Sequence, residues 1–114
     1  MQALIVEPLK APYVKEIGEE LEDLQHEVGG YIETVHLPDG AVIICDEESK
    51  LKGNAKLNRA MVWVRPDRTP TAWDTLFGTI LIAGTDGEEF CDLDAQQVKK
   101  WTLKAAQKNI YIME

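Results

Sequence analysis

Two strand-forming runs, Tyr31 to Leu37 and Ala41 to Cys45, flank the tripeptide Pro38-Asp39-Gly40. Asp-Gly between such runs is the strongest local signal for a β-hairpin, because the tight turn needs positive φ angles that Asp and Gly tolerate. This unit commits the middle of the chain to antiparallel sheet. Taking Asp39-Gly40 as a two-residue loop sets a register in which Val35 faces Ile44 and Leu37 faces Val42 on one apolar side. His36 then faces Ile43, and Thr34 faces Cys45, on the other.

The remaining elements follow from hydrophobic period and turn residues. Ala3 to Val6, closed by Glu7-Pro8, predicts a buried strand, and the proline-bounded Leu9 to Tyr13 predicts a loop. Ile17, Leu21, Leu24 and Val28 fall on one face of a helix that Gly29-Gly30 ends. Asp46 to Asn58 predicts a long loop, Ala60 to Val64 a strand stopped by Pro66, Asp67 to Thr71 a tip, and Trp73 to Phe77 a helical turn. Thr79 to Ala83 predicts a second buried strand, followed by an Asp86-Gly87 turn. A second helix is expected from about Ala95 to Gln107, with Asp94 as N-cap, Gln97 at N3 and a Leu93/Val98 staple. Ile110 to Met113 predicts an added strand, on a sheet edge or across a subunit boundary. The expected fold is α+β, a mixed sheet of about five strands with two helices packed on one face. A chain of 114 residues predicts one domain over 1–114, with 109–114 as a C-terminal extension.

Charge is distributed unevenly. The net charge is −8, yet residues 1–50 hold twelve acids and three bases, while residues 51–114 hold eight acids and nine bases. An acidic chain disfavours general binding to duplex DNA, RNA or an anionic membrane, so no direct nucleic-acid binding and no membrane partner are expected. The N-terminus lacks a basic leader and no apolar run approaches a membrane span, so a cytoplasmic location is expected. Six bases fall within Lys50 to Arg68, against the single acid Asp67. Either they balance the acidic first helix or they converge on an anion, where the guanidinium fork suits phosphate or carboxylate. Under the second reading the ligand residues are Asn58, Arg59 and Lys56, with Arg65 adding charge and Trp63 or Tyr31 stacking a base. Under a protein-binding reading, Glu19, Glu20 and Asp23 of the first helix form the contact surface.

Catalytic and metal patterns are sparse. There is no phosphate-cradling G-x-x-x-x-G-K-[ST] run, and Ser49 is the sole serine, in highly charged surroundings. Cys45 and Cys91 are too few for a disulfide framework, and neither they nor His26 and His36 have zinc-ligand spacing. His36 and Cys45 share a hairpin face in the register above, the minimum for thiolate catalysis, although a cysteine ending an apolar strand is more often a small core residue. The expectation is a protein that is not an enzyme and uses no cofactor.

A family pattern accompanies these features. Val28-Gly29-Gly30-Tyr31-Ile32-Glu33, Cys45-Asp46-Glu47-Glu48, Leu57-Asn58-Arg59-Ala60 and Gly78-Thr79 occur in that order, with Val6-Glu7-Pro8 before them and Glu89-Phe90 and Leu93 after. Over about residues 2–103 this resembles the domain of unknown function 3846 family of phages and bacterial mobile elements. The chain departs from the pattern at Asp46 and Ser49, where Asn and Gly are expected, and in its tail. The resemblance implies a phage or plasmid setting, in which small non-enzymatic proteins counteract host defence. The expected function is capture of a small anionic, nucleotide-type ligand by a homo-oligomer. The alternative is an acidic DNA mimic or protein-binding inhibitor of a host defence nuclease, as in anti-CRISPR or anti-restriction.

Overall fold

The computed structural model describes residues 1–53 and 55–113. Asn54 of the predicted long loop and Glu114 of the predicted extension lie outside them. In chain order the elements are β1 (Gln2–Val6), β2 (Tyr13–Glu16), α1 (Leu21–Val28), β3 (Ile32–His36), β4 (Ala41–Asp46), a 3-10 turn (Ser49–Leu51), β5 (Leu57–Val64), β6 (Pro70–Phe77), β7 (Ile80–Asp86), β8 (Glu89–Cys91), α2 (Ala95–Ala105) and β9 (Asn109–Met113). The fold is α+β.

Ala3 to Val6, Ala41 to Cys45 and Ile80 to Ala83 are apolar at every position, so a sheet built from them must be covered on both faces. They supply the three central strands of an antiparallel sheet ordered β2-β1-β7-β4-β3, with β8 added to the end of β7. One face buries Ala3, Ile5, Val42, Ile44 and Leu81 beneath Leu24 and Val28 of α1. The opposite face buries Leu4, Val6, Ile43, Ile80 and Ile82. Against it lie α2, through Trp101 and Ala105, and a second sheet ordered β6-β5-β9, through Met61, Leu76, Ile110 and Ile112.

The layers are therefore α1, the first sheet, and then the second sheet together with α2. This corrects the expectation of about five strands in one sheet with both helices on one face. Nine strands form two sheets among the described residues, and the helices sit on opposite faces of the larger one. The extra strands are edges. β2 is exposed at all four positions and carries no alternation, which is why Tyr13 onward read as loop and helix approach. Trp73 to Phe77 is strand rather than helical turn, because β6 pairs with β5 from Pro70 to Phe77. The helix read from Ile17 begins only at Leu21; Ile17 reaches the same core from the segment before it, while Leu21 points outward.

The hairpin forms with a register one residue away from the expected one. Leu37 pairs with Ala41, its N–H donating to the Ala41 carbonyl at 2.9 Å, so Pro38-Asp39-Gly40 is a three-residue loop with Gly40 at φ 87°. Such a loop ends in a left-handed residue and a bulge, and Gly fits there without strain. His36 therefore faces Val42, and Glu33 faces Cys45. Asp39 then does more than turn the chain. Its carboxylate accepts the Ala41 N–H at 3.1 Å and the indole N–H of buried Trp101 at 2.9 Å, tying the hairpin tip to α2. α2 itself starts as its sequence specifies: Asp94 accepts from the Gln97 N–H, and the Gln97 side chain accepts from the Asp94 N–H.

Candidate functional site

Asn58 and Arg59 stand at the start of β5, where the second sheet meets the first sheet and α2. The Asn58 amide donates to the carbonyls of Val6 at 2.8 Å and Gly78 at 2.7 Å. Its oxygen accepts from Arg59 Nη1 at 2.7 Å. Arg59 is 7% exposed, and its remaining bonds go to the backbone. Nε donates to Ala105 O at the end of α2, Nη1 to Glu7 O, and Nη2 to Lys10 O, at 2.7, 2.9 and 2.7 Å. A guanidinium has five N–H donors, so four are engaged within the fold and one remains. Burial pulls the Arg59 pKa down from its ordinary value. The pair anchors three chain segments before it can serve a guest.

Beside this anchor lies a depression of about 610 Å³, lined by Leu9, Lys56, Leu57, Arg59, Thr75 and Lys108 among others. Among the described residues no carboxylate is in its lining. Lys56 and Lys108 have no ion-pair partner among the described residues. Leu9 (92% exposed, φ 62°) and Leu57 (57% exposed) add apolar surface at its mouth. The structure thus brings together Asn58, Arg59 and Lys56. It separates Trp63, which packs half-buried against the inner core, Arg65, which lies past the far end of β5, and Tyr31, which is exposed before β3 of the other sheet. Lys108 and Leu9 were missed because they reach the site through long-range pairing. β9 runs parallel to β5, with Asn109 opposite Ala60, and the Ala60 N–H donates to the Lys108 carbonyl.

Among the described residues the basic segment forms no ion pair with the acids of α1, and meets that helix only where Lys52 donates to the carbonyl of its C-cap Gly29 at 3.0 Å. Lys50 bridges to Asp74 of β6, and Lys52 to buried Asp46. Glu27 pairs with Lys15 instead, at 2.9 Å. Of the acidic candidates, Asp23 accepts the Glu20 N–H at 3.2 Å and so serves the start of α1. Glu19 and Glu20 join Glu88, Glu89, Leu21 and Phe90 around a hollow of about 380 Å³.

The thiol reading fails on register. Cys45 faces the inner core with Ile43 and Val35, while His36 lies on the other face beside Val42. Burial, and then the Glu33 carboxylate, push the Cys45 thiol up to about 11. Such a group is a poor thiolate source near neutral pH. Among the described residues no three His, Cys, Asp or Glu side chains gather as a metal site, and no helix is long and apolar enough to cross a membrane.

Two stacked sheets, a helix on the outer face of one and a carboxylate-free depression at the edge of the other define an α+β protein with a preformed cationic hollow. The chain belongs to the family described as Domain of unknown function (DUF3846), whose model matches residues 1–106. No curated protein and no solved structure matches it.

Proposed function

We propose that the protein binds a small anionic ligand of nucleotide type, without turning it over, in the hollow beside Lys56, Lys108 and Arg59. One observation carries the reading: a chain of net charge −8 has a hollow whose charged lining residues are three cations and no acid. The two lysines come from neighbouring strand starts, Lys56 from the residue before β5 and Lys108 from the residue before its parallel neighbour β9. Arg59, held by four bonds within the fold, adds a fixed positive charge to the lining, so an anion meets a charge already in place. Leu9 and Leu57 offer the apolar contact a base or ribose needs. Withholding such a ligand from a host defence pathway is the role that a phage or mobile-element setting favours.

Isothermal titration with adenosine monophosphate tests this. Lys56→Ala with Lys108→Ala is expected to weaken binding at least tenfold, since each removes a charged contact. Absence of binding to the native protein, or equal affinity in the double variant, refutes the proposal. A second reading rests on Glu88 and Glu89 joining Glu19 and Glu20, which makes the far side a concentrated negative surface suited to inhibiting a host nuclease. It predicts strongly salt-dependent binding to that nuclease, lost when Glu19, Glu20 and Glu89 are changed to Gln.

A further inference from the structure

The cationic hollow is one end of a larger uncovered surface. Register fixes which side chains share the outer face of the β6-β5-β9 sheet. Thr75, Ala60 and Asn109 form one row; Trp73, Val62 and Tyr111 the next; Pro70, Val64 and Met113 the third. Val62 and Val64 are buried yet belong to neither core, so they form the floor of this face. Above them Trp73 is 76% exposed, Met113 46% and Tyr111 40%. The first row borders the Lys56/Lys108 hollow. The third borders another, of about 660 Å³, lined by Arg68, Lys104, Gln107, Tyr111 and Met113 with Val64 and Pro70, again without a carboxylate among the described residues, and with the Lys104 ammonium donating to the Tyr111 carbonyl at 2.7 Å.

Two aromatic rings in one row, cations at both ends and, among the described residues, no acid on the face are the elements by which sheets bind single strands: rings stack on bases while lysine and arginine follow the phosphates. Trp73 and Tyr111 stand two strands apart, about 10 Å. The outer rows are four residues apart along β5, about 13 Å. Of the described acids on β6 and the β5–β6 turn, Asp74 points to the inner side and bridges to Lys50, and Asp67 accepts the Thr69 N–H. The acids of α1 lie beyond two layers of sheet, about 20 Å away and so about two Debye lengths at physiological salt. Overall charge therefore does not describe what this face presents.

From this we infer that the outer face of the second sheet binds a short single-stranded oligonucleotide, its bases on Trp73 and Tyr111 and its phosphates between the Lys56/Lys108 and Arg68/Lys104 ends. The inference rests on the proposed anion hollow and extends it. The probe is a fluorescein-labelled deoxythymidine hexamer followed by anisotropy, beside adenosine monophosphate followed by titration. The hexamer is expected to bind more tightly than the mononucleotide, with log K falling by about 2–3 per decade of salt for four cations. Trp73→Ala, at an exposed position, is expected to lower hexamer affinity about 5- to 150-fold and Trp73→Phe to restore most of it, both leaving mononucleotide affinity within twofold. A hexamer that binds no better than the mononucleotide, or that ignores Trp73→Ala, overturns the oligonucleotide and leaves the hollow standing. If neither probe binds, both fall. A stable dimer in sedimentation equilibrium that hides Trp73 and persists with excess hexamer also overturns the inference, since a second copy then covers the face.

Discussion

Replacing Arg59 with alanine tests whether this side chain holds the fold together. Its bond to Ala105 O is buried, and those to Glu7 O, Lys10 O and Asn58 are partly so. A buried carbonyl that loses a charged donor costs about 2–3 kcal/mol, and partly wetted ones about 0.5–1 each, because water takes the donor's place. The sum is about 3.5–6 kcal/mol, a large share of the 5–15 that keeps a domain folded. With a urea m-value of about 1.5 kcal/mol/M, the midpoint is expected to drop by about 2–4 M at unchanged m. Arg59→Lys keeps the charge but not the fork, and is expected to recover less than half of the loss. Urea melts followed by far-UV circular dichroism measure both. A loss under 1 kcal/mol for Arg59→Ala, or full recovery with lysine, refutes the argument that the geometry of the fork is what matters.

Asn58→Ala removes donors to Val6 O and Gly78 O and is expected to cost about 1–3 kcal/mol. A double-mutant cycle with Arg59→Ala should give a coupling of at least 0.5 kcal/mol, whereas additivity would separate the two residues. Asp39→Ala leaves the Trp101 indole N–H without its acceptor and is expected to cost about 1–3 kcal/mol in thermal melts. Cys45 titrates near 9.0 when unfolded and about 11 when folded, so above pH 9 the unfolded state gives up its proton first. Stability should therefore be full below pH 9 and fall toward pH 11, with a flatter decline in Cys45→Ala; equal slopes in urea melts would contradict the burial of this thiol.

What the sequence revealed was whatever local chemistry alone decides. Asp94 and Gln97 cap α2, and the central strands β1, β4 and β7 are legible as apolar runs. The hairpin was legible too, but not its register, because Pro38-Asp39-Gly40 supports either a two- or a three-residue loop and only backbone geometry chooses. Two edge strands, β2 and β6, left no trace, because β2 is wholly exposed and β6 opens with four exposed residues that include Trp73, whereas the edge strands β3 and β9 were legible in the hairpin and in Ile110 to Met113. The site divided along the same line. Asn58, Arg59 and Lys56 are close in sequence and stood out as a group, but Arg59 points inward, since the carbonyls it meets come from Glu7, Lys10 and Ala105. Lys108 joins them only because a parallel strand pairs residues about fifty positions apart, which no window of sequence reports.

That parallel pairing has a kinetic consequence. β9 lies beyond residues 1–106, the span shared with the family, yet Ile110 and Ile112 complete the inner core and give β5 its second neighbour. As the chain leaves the ribosome, β5 and β6 emerge with one side of β5 unsatisfied, and it stays open until everything through α2 has followed. Closing so long a loop is slow. An unpaired strand edge is a template for a strand from a neighbouring copy, so exchange of β9 between chains is the misassembly that this topology favours.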